Sequence, residues 1–279
     1  MNKTAANSPP GLIYAAVRIF DLSLSEMLWS RRTVFMALVV GLPVVIALVV
    51  RLLVEVGAPL PRVERMEVTG PMIFGLMIWA FFVRFSVPVL AVFYGTSLIA
   101  DEVEDRTITY LFTRPIPREA VLIGKYLAYL VCTACVVLPA VVVVWLLIVP
   151  IGGRLADSFV DLTKDLALLV MGLAVYGAVF ALVGARFKRP LLAGLFFIFG
   201  WEVLVMALPG SFRLFTVAHY LHGLVPHAMP GDSTLSLLQS LFREVPSLAE
   251  SLISLAVIEV ACLLLAARSV ARREYVLEQ

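Results

Sequence analysis

The chain has 279 residues, of which 61% are hydrophobic and 15% are charged, and its mean hydropathy is +0.99. Soluble domains are about 45–50% apolar and about 25% charged, so this composition excludes a soluble enzyme and a disordered chain. A net charge of +2 does not favour binding to nucleic acid. Three cysteines exclude a disulfide scaffold. What remains is a polytopic, all-α integral membrane protein.

Residues 1–32 are predicted to form a loose cytoplasmic tail followed by an amphipathic helix. Arg18, Asp21 and Glu26 interrupt the stretch that a cleavable signal peptide keeps apolar. Apolar side chains instead recur at helical spacing, at Leu12, Ala16, Ile19, Phe20, Leu24, Met27 and Leu28. This pattern predicts a helix that lies in the cytoplasmic membrane interface and leads into the first span.

Six stretches are long and apolar enough to cross the roughly 30 Å hydrocarbon core of a bilayer. They cover residues 33–50, 72–100, 126–153, 166–185, 191–212 and 249–267. The sequence therefore predicts a six-span domain over residues 33–268 and a cytoplasmic tail over residues 269–279. In this topology fourteen Lys and Arg residues lie on the side of the termini and seven on the other. The positive-inside rule then places both termini in the cytoplasm, and we expect a bacterial inner membrane.

Apart from Glu250 at the mouth of the sixth, three charged residues fall inside the predicted spans: Arg84 in the second, Glu202 in the fifth and Glu259 in the sixth. At 1.5 Å per residue they lie roughly 10–20 Å from the outer ends of their spans. One positive and two negative charges at similar depth predict mutual pairing away from lipid, and ionisable residues in a span are functional candidates. Two roles stay open, a structural lock between helices and a contact with the transported substrate.

The connection between the second and third spans, residues 101–120, is rich in charge within a chain that is poor in it. It starts with acidic residues and continues with basic ones, which suits the dipole of a helix. Pro115 and Pro117 then end that helix, because the residue before a proline is pushed out of the helical region. The pattern predicts a short amphipathic helix at the cytoplasmic surface that a cytosolic partner can push.

This loop resembles the cytoplasmic loop of permease subunits of ABC-2-type ABC transporters. The similar positions are Glu102, Glu104 or Asp105, Arg106, Thr107, Leu111, Pro115 or Pro117, Arg118, Gly124 and Lys125. Arg106 stands where the family commonly has a glycine before the threonine. The arrangement of an interfacial helix, six spans and a long outer segment before the last span is also similar to that family.

The resemblance implies a coupling helix that docks in a cleft of a separate ATP-binding subunit. The implied contact residues are Asp101, Glu102, Glu104, Asp105, Arg106, Thr107, Tyr110, Leu111, Arg114 and Arg118. Two permease chains, as a homodimer or with a related chain, and two ATP-binding subunits would form the working unit in the lipid bilayer. The only Gly-Lys pair, Gly124-Lys125, lacks the upstream glycine of a phosphate loop. We therefore expect no cofactor on this chain, with ATP and Mg bound by the partner.

The outer segment, residues 210–248, is apolar and is broken by prolines into predicted short helices that precede the last span. It contains His219, His222 and His227. A metal site on these histidines is possible in principle, but the nearest acidic residue, Asp232, lies beyond Pro230. Cys132 and Cys135 lie inside the third span with no second pair in the chain, which favours packing over chemistry.

Three classes of function compete. The leading hypothesis is the permease half of an ATP-driven transporter, most simply an exporter. A secondary transporter or channel would normally contain inverted repeats, and the 101–120 loop has no counterpart between spans four and five. A membrane enzyme is less favoured, because no span carries a nucleophile–base set or a metalloprotease motif. The sequence does not choose a substrate.

Overall fold

In the residues that it describes, the computed structural model is helical apart from two very short antiparallel strands. It describes residues 12–29, 31–57, 62–63, 66–67, 69–99, 118–207, 211–225 and 246–272. The first elements are α1 (Leu12–Leu28), α2 (Arg31–Glu55), the antiparallel strands β1 (Arg62–Val63) and β2 (Met66–Glu67), α3 (Gly70–Met77), the π-helical segment π1 (Ile78–Ser86) and α4 (Val87–Gly95). There follow α5 (Arg118–Ile148), α6 (Phe159–Arg186), α7 (Pro190–Phe196), the π-helical segment π2 (Phe197–Glu202), α8 (Val203–Ala207), a 3₁₀ turn (Ser211–Phe215), α9 (Val217–His222) and α10 (Leu248–Arg272).

Five described helices are long and apolar enough to cross a membrane. They are Thr33–Glu55, Gly70–Ile99, Ala120–Ile148, Phe159–Arg186 and Leu248–Val270. The predicted fifth span, residues 191–212, coincides with a shorter apolar helix, Pro190–Val205. The described helical residues of this stretch continue to Ala207. The all-helical membrane fold is confirmed, and the count of six spans stays a prediction.

The second and fifth predicted spans are not regular α-helices. Residues 78–86 and 197–202 form π-helix. In a π-helix each backbone N–H donates to the carbonyl five residues earlier, one residue further than in an α-helix. In the first case the N–H of Val87 donates to the carbonyl of Phe82. Pro88 follows directly and offers no N–H to the carbonyl of Arg84, four residues earlier. Such wide turns are rare and are common at functional sites.

Helix α6 is the centre of the bundle, because its buried face packs against α4, α5 and α10. Small residues on α6 let its neighbours approach closely. A Cβ atom on Gly177 would overlap the ring of Tyr129 on α5, and one on Gly184 would overlap the backbone of Thr96. The hydroxyls of Tyr126 and Tyr129 donate to the α6 carbonyls of Ala174 and Leu173, both at 2.9 Å. This interlocking fixes the rotation of α5 against α6.

Helix α1 packs on the beginning of α5. Ala15, Ala16 and Ile19 are buried there, together with Ala120 of α5. Gly124 makes the contact close, because a Cβ on it would lie 2.7 Å from the carbonyl oxygen of Ala16. The predicted amphipathic helix is thus present, and its apolar face lies against protein.

Candidate functional site

A small cavity of about 30 Å³ lies where the second, fourth and fifth predicted spans meet the outer segment. Its lining residues are Trp79, Val83, Arg84, Tyr176, Glu202, Ala218 and His222. Segment π1 supplies the first three, α6 supplies Tyr176 and π2 supplies Glu202. Helix α9 closes one side with Ala218 and His222. Two of the three charged residues predicted inside the spans therefore share one pocket.

The carboxylate of Glu202 forms the floor of this pocket. The side chain is 4% exposed. The hydroxyl of Tyr176, which has one proton to donate, lies 2.9 Å and 2.7 Å from its two oxygens. The backbone N–H groups of Val217 and Ala218 lie beside it. These contacts join the middle of α6 and the start of α9 to the end of π2, so Glu202 ties three elements together.

Arg84 lies in the same pocket, and its positive charge acts on the carboxylate of Glu202. Its side chain is nevertheless exposed on the surface of this single chain. Within the part of the chain that the structure describes, no ion pair within 4.0 Å joins Arg84 to Glu202. The guanidinium therefore stands beside the buried carboxylate and is not locked onto it.

Trp79 and His222 form the outer edge of the pocket. Their rings meet edge to face, with centroids 6.3 Å apart and planes at 88°. Since Trp79 lies on π1 and His222 on α9, this contact holds the outer segment over the predicted second span. The residues that sequence analysis did not name here are Trp79 and Tyr176. Hydropathy alone does not reveal them, because both rings count as apolar.

The structure places Glu259 in different surroundings. Its carboxylate lies 3.0 Å from the hydroxyl of Tyr126 on α5, and it shares the one proton of that hydroxyl with the carbonyl of Ala174. Glu259 does not line the Arg84 pocket. The three predicted intramembrane charges thus separate into the Arg84–Glu202 neighbourhood and a Glu259–Tyr126 pair.

Most of the predicted coupling loop lies outside the described residues. This applies to Asp101, Glu102, Glu104, Asp105, Arg106, Thr107, Tyr110, Leu111 and Arg114. Arg118 is the first residue of α5. The loop therefore enters α5 two turns before Gly124, the point where α1 is packed. Another residue that sequence analysis passed over, Asp165, is fully buried in the first half of α6.

The histidines and cysteines form no metal-type cluster among the described residues, where no three His, Cys, Asp or Glu side chains come together. His227 lies outside the described residues. Burial lowers the pKa of His219, as does the nearby Arg213, while Glu250 acts in the opposite direction. Cys132 is buried and Cys135 is exposed, and both are free thiols.

Apolar helices of membrane-crossing length define a polytopic membrane protein, and two charged residues share one small pocket within it. A model of the family described as ABC-2 family transporter protein matches residues 17–274. Because this match spans nearly the whole sequence, the chain belongs to the ABC-2 transporter family, as the 101–120 loop predicted. Members form the membrane component of an ABC transporter that works with an ATP-binding partner, and this component is not itself an enzyme. No curated protein matches the chain significantly.

Proposed function

We propose that this chain is the permease subunit of an ATP-driven exporter. Two copies, or one copy and a related chain, form the translocation pathway between them. Two separate ATP-binding subunits drive the cycle from the cytoplasm. Membership of the ABC-2 family supports the class of transporter, and the surroundings of Arg84 support the position of the pathway.

The exposure of Arg84 is the observation that carries the proposal. Arg84 lies near the middle of the apolar helix Gly70–Ile99, which has 30 residues, and its side chain is exposed on the isolated chain. An arginine in the centre of a span costs about 2.5–3.5 kcal/mol when it enters lipid. Such residues face a bundle interior or a water-filled cavity. The face around Arg84 is therefore the one that we assign to a second permease chain and the pathway.

The packing of α1 on α5 supports coupling through the 101–120 loop. This loop leads directly into Arg118 at the start of α5, and α1 contacts α5 around Gly124. A helix transmits a push along its axis because its backbone hydrogen bonds hold its length. We infer that the ATP-binding subunit moves the loop, and that α5 and α1 move with it as one body.

Co-purification of the full chain with its ATP-binding subunit in mild detergent tests this coupling. Replacement of Asp101, Glu102, Glu104 and Asp105 by their amides removes the acidic start of the loop. We expect recovery of the ATP-binding subunit and the ATPase rate of the complex to fall at least about tenfold, as for the loss of charge-assisted hydrogen bonds at an interface.

A matched control removes charge elsewhere on the chain. Arg51 and Glu55 form an exposed ion pair of 2.8 Å at the C-terminal end of α2. The R51Q/E55Q double variant should bind the ATP-binding subunit like the unmodified chain. Full recovery and an unchanged ATPase rate in the loop variant would refute coupling through this loop. Transport that persists without any nucleotide-binding partner would instead indicate a transporter driven by an ion gradient.

A further inference from the structure

The positive charge of Arg84 is open to a ligand in the pocket, whereas the carboxylate of Glu202 is buried. The hydroxyl of Tyr176 lies 2.7 Å and 2.9 Å from the two oxygens of Glu202, with one proton to donate, and the backbone N–H groups of Val217 and Ala218 lie beside the carboxylate. The Glu202 side chain is only 4% exposed. A ligand that enters the pocket therefore meets little of the carboxylate.

Hydrogen-bond donors dominate what remains open. The guanidinium of Arg84 carries five N–H donors and no acceptor, and no ion pair or hydrogen bond occupies it among the described residues. The indole N–H of Trp79 is a donor only, and it too has no partner within the described part of the chain. Two unpaired donors that line one cavity match an oxyanion.

The size and the surroundings of the cavity define the rest of the ligand. About 30 Å³ accommodates roughly one or two waters, so the cavity admits one carboxylate or phosphate group and no larger ligand. The exposed side chain of Arg84 lies near the middle of the apolar helix Gly70–Ile99, at the depth of the hydrocarbon core. A ligand whose anionic group sits at Arg84 therefore has its remaining atoms in apolar surroundings.

We propose that the Arg84–Trp79 pocket binds the single carboxylate or phosphate group of an anionic amphiphile. This assignment deepens the proposed function, on which it rests for the position of the pathway, by naming the chemical class of what occupies it. The amphiphile comes either from the surrounding phospholipid or from a free amphiphilic substrate. Both share the same group and are recognised by the same donors.

Native mass spectrometry of the full-length chain in a neutral maltoside detergent tests the proposal without nucleotide. The probes are dodecyl phosphate, phosphatidylglycerol and inorganic phosphate, with phosphatidylcholine as the zwitterionic reference. We expect one dodecyl phosphate per chain, bound at least about tenfold more tightly than inorganic phosphate. Arg84→Gln should weaken it about tenfold or more, since hydrogen bonds to charged groups are the strong ones.

Two further variants keep the result interpretable if Arg84→Gln misfolds. Arg84→Lys keeps the charge and loses the planar fork, so binding should be intermediate. Trp79→Phe keeps the ring and removes the indole donor, and binding should weaken severalfold. Arg154→Gln is the matched control, because Arg154 is an exposed arginine outside the pocket; its binding should equal that of the unmodified chain.

The outcomes are distinct. Phosphatidylglycerol that is retained at one per chain and lost in the Arg84 variants supports the proposal with lipid as the source. Dodecyl phosphate alone supports a free amphiphile. Undiminished binding in Arg84→Gln, equal binding of inorganic phosphate, or no binding at all overturns the proposal, including the case in which a second permease chain covers Arg84. Recovery of the ATP-binding subunit is measured separately, so failure here differs from failure of the proposed function.

Discussion

Two glutamates lie within apolar helices of this chain, and their surroundings differ. Glu202 is nearly fully buried, accepts a hydrogen bond from the hydroxyl of Tyr176 and borders a cavity that Arg84 lines. Glu259 is half-buried and lies 3.0 Å from the hydroxyl of Tyr126. The carbonyl of Ala174 lies 2.9 Å from that same hydroxyl, so the Tyr126 proton has an acceptor without Glu259.

The backbone explains part of this difference. Arg84 lies in π1 and Glu202 is the last residue of π2, whereas Glu259 lies in the regular helix α10. A π turn inserts an extra residue, which shifts the helix face and widens the local groove. Two such turns on neighbouring helices leave room for a cavity between them. A cavity therefore lies beside Glu202, whereas Glu259 lies against the side chain of Tyr126.

Replacement of each glutamate by leucine should give the largest contrast. Glu202→Leu leaves the buried hydroxyl of Tyr176 without its acceptor, at a cost of about 1–3 kcal/mol. Glu259→Leu leaves Tyr126 bonded to Ala174 and removes a carboxylate from an apolar helix. Thermal unfolding in detergent should therefore drop clearly for Glu202→Leu and stay equal or rise for Glu259→Leu.

Glu202→Gln is the control for this contrast. It keeps an acceptor oxygen for Tyr176 at nearly constant shape, so its unfolding temperature should lie between those of the unmodified chain and of Glu202→Leu. Equal losses for the two leucine variants would contradict the view that only Glu202 ties three elements together.

Two glycines on α6 allow a second comparison between a tightly packed and a less tightly packed position, with a smaller expected effect on stability. A methyl group on Gly177 overlaps the ring of Tyr129, on the tightly interlocked side of the bundle. A methyl group on Gly172 meets the end of the Val87 side chain at 3.2 Å, towards the pocket and α9. Gly177→Ala should cost about 1–3 kcal/mol through overpacking. Gly172→Ala should stay within about 1 kcal/mol of the unmodified chain, because alanine is also the better helix former.

Unfolding of the two alanine variants in the same detergent measures this difference. The double variant Tyr129→Phe/Gly177→Ala serves as a check. Because the added methyl group overlaps the ring of residue 129 and not only its hydroxyl, the loss of stability should persist in this variant. A Gly177→Ala variant as stable as Gly172→Ala would show that α5 moves aside at little cost.

Hydropathy predicted where apolar helices occur, and it did so well for the five long ones. It did not predict which charges meet. The partner of Glu259 is a tyrosine on α5, and a hydroxyl on an aromatic ring leaves no trace in an apolar pattern. The rotation of one helix against its neighbour decides such contacts. For α5 and α6, the close approach of Tyr129 to Gly177 sets this rotation. The contact that sets the rotation thus joins two residues, Tyr129 and Gly177, that are 48 positions apart in the sequence.

Helix α1 shows a related limit. Its 3.6-residue pattern correctly predicts an amphipathic helix, yet the pattern cannot distinguish lipid from protein as the apolar neighbour. Gly124 decides the matter, because the missing side chain lets α1 lie directly on α5. The π turns were not predicted either. Pro88 gives a signal for the first of them in hindsight, since it leaves the carbonyl of Arg84 without its usual donor.

The smallest expected effect concerns the helix that closes the pocket. Burial, and then Arg213, lower the pKa of His219 in α9 below its usual 6.5, while Glu250 opposes them. The unfolded chain then binds more protons than the folded one as pH falls through 6.5, so the folded state loses stability there and regains it above. The unfolding temperature of the unmodified chain should fall slightly between pH 7.5 and pH 5.5. His219→Gln should flatten this slope, and Glu250→Gln should steepen it, because the opposing charge is gone. Parallel slopes in all three proteins would mean that the stability of the chain does not respond to pH through His219.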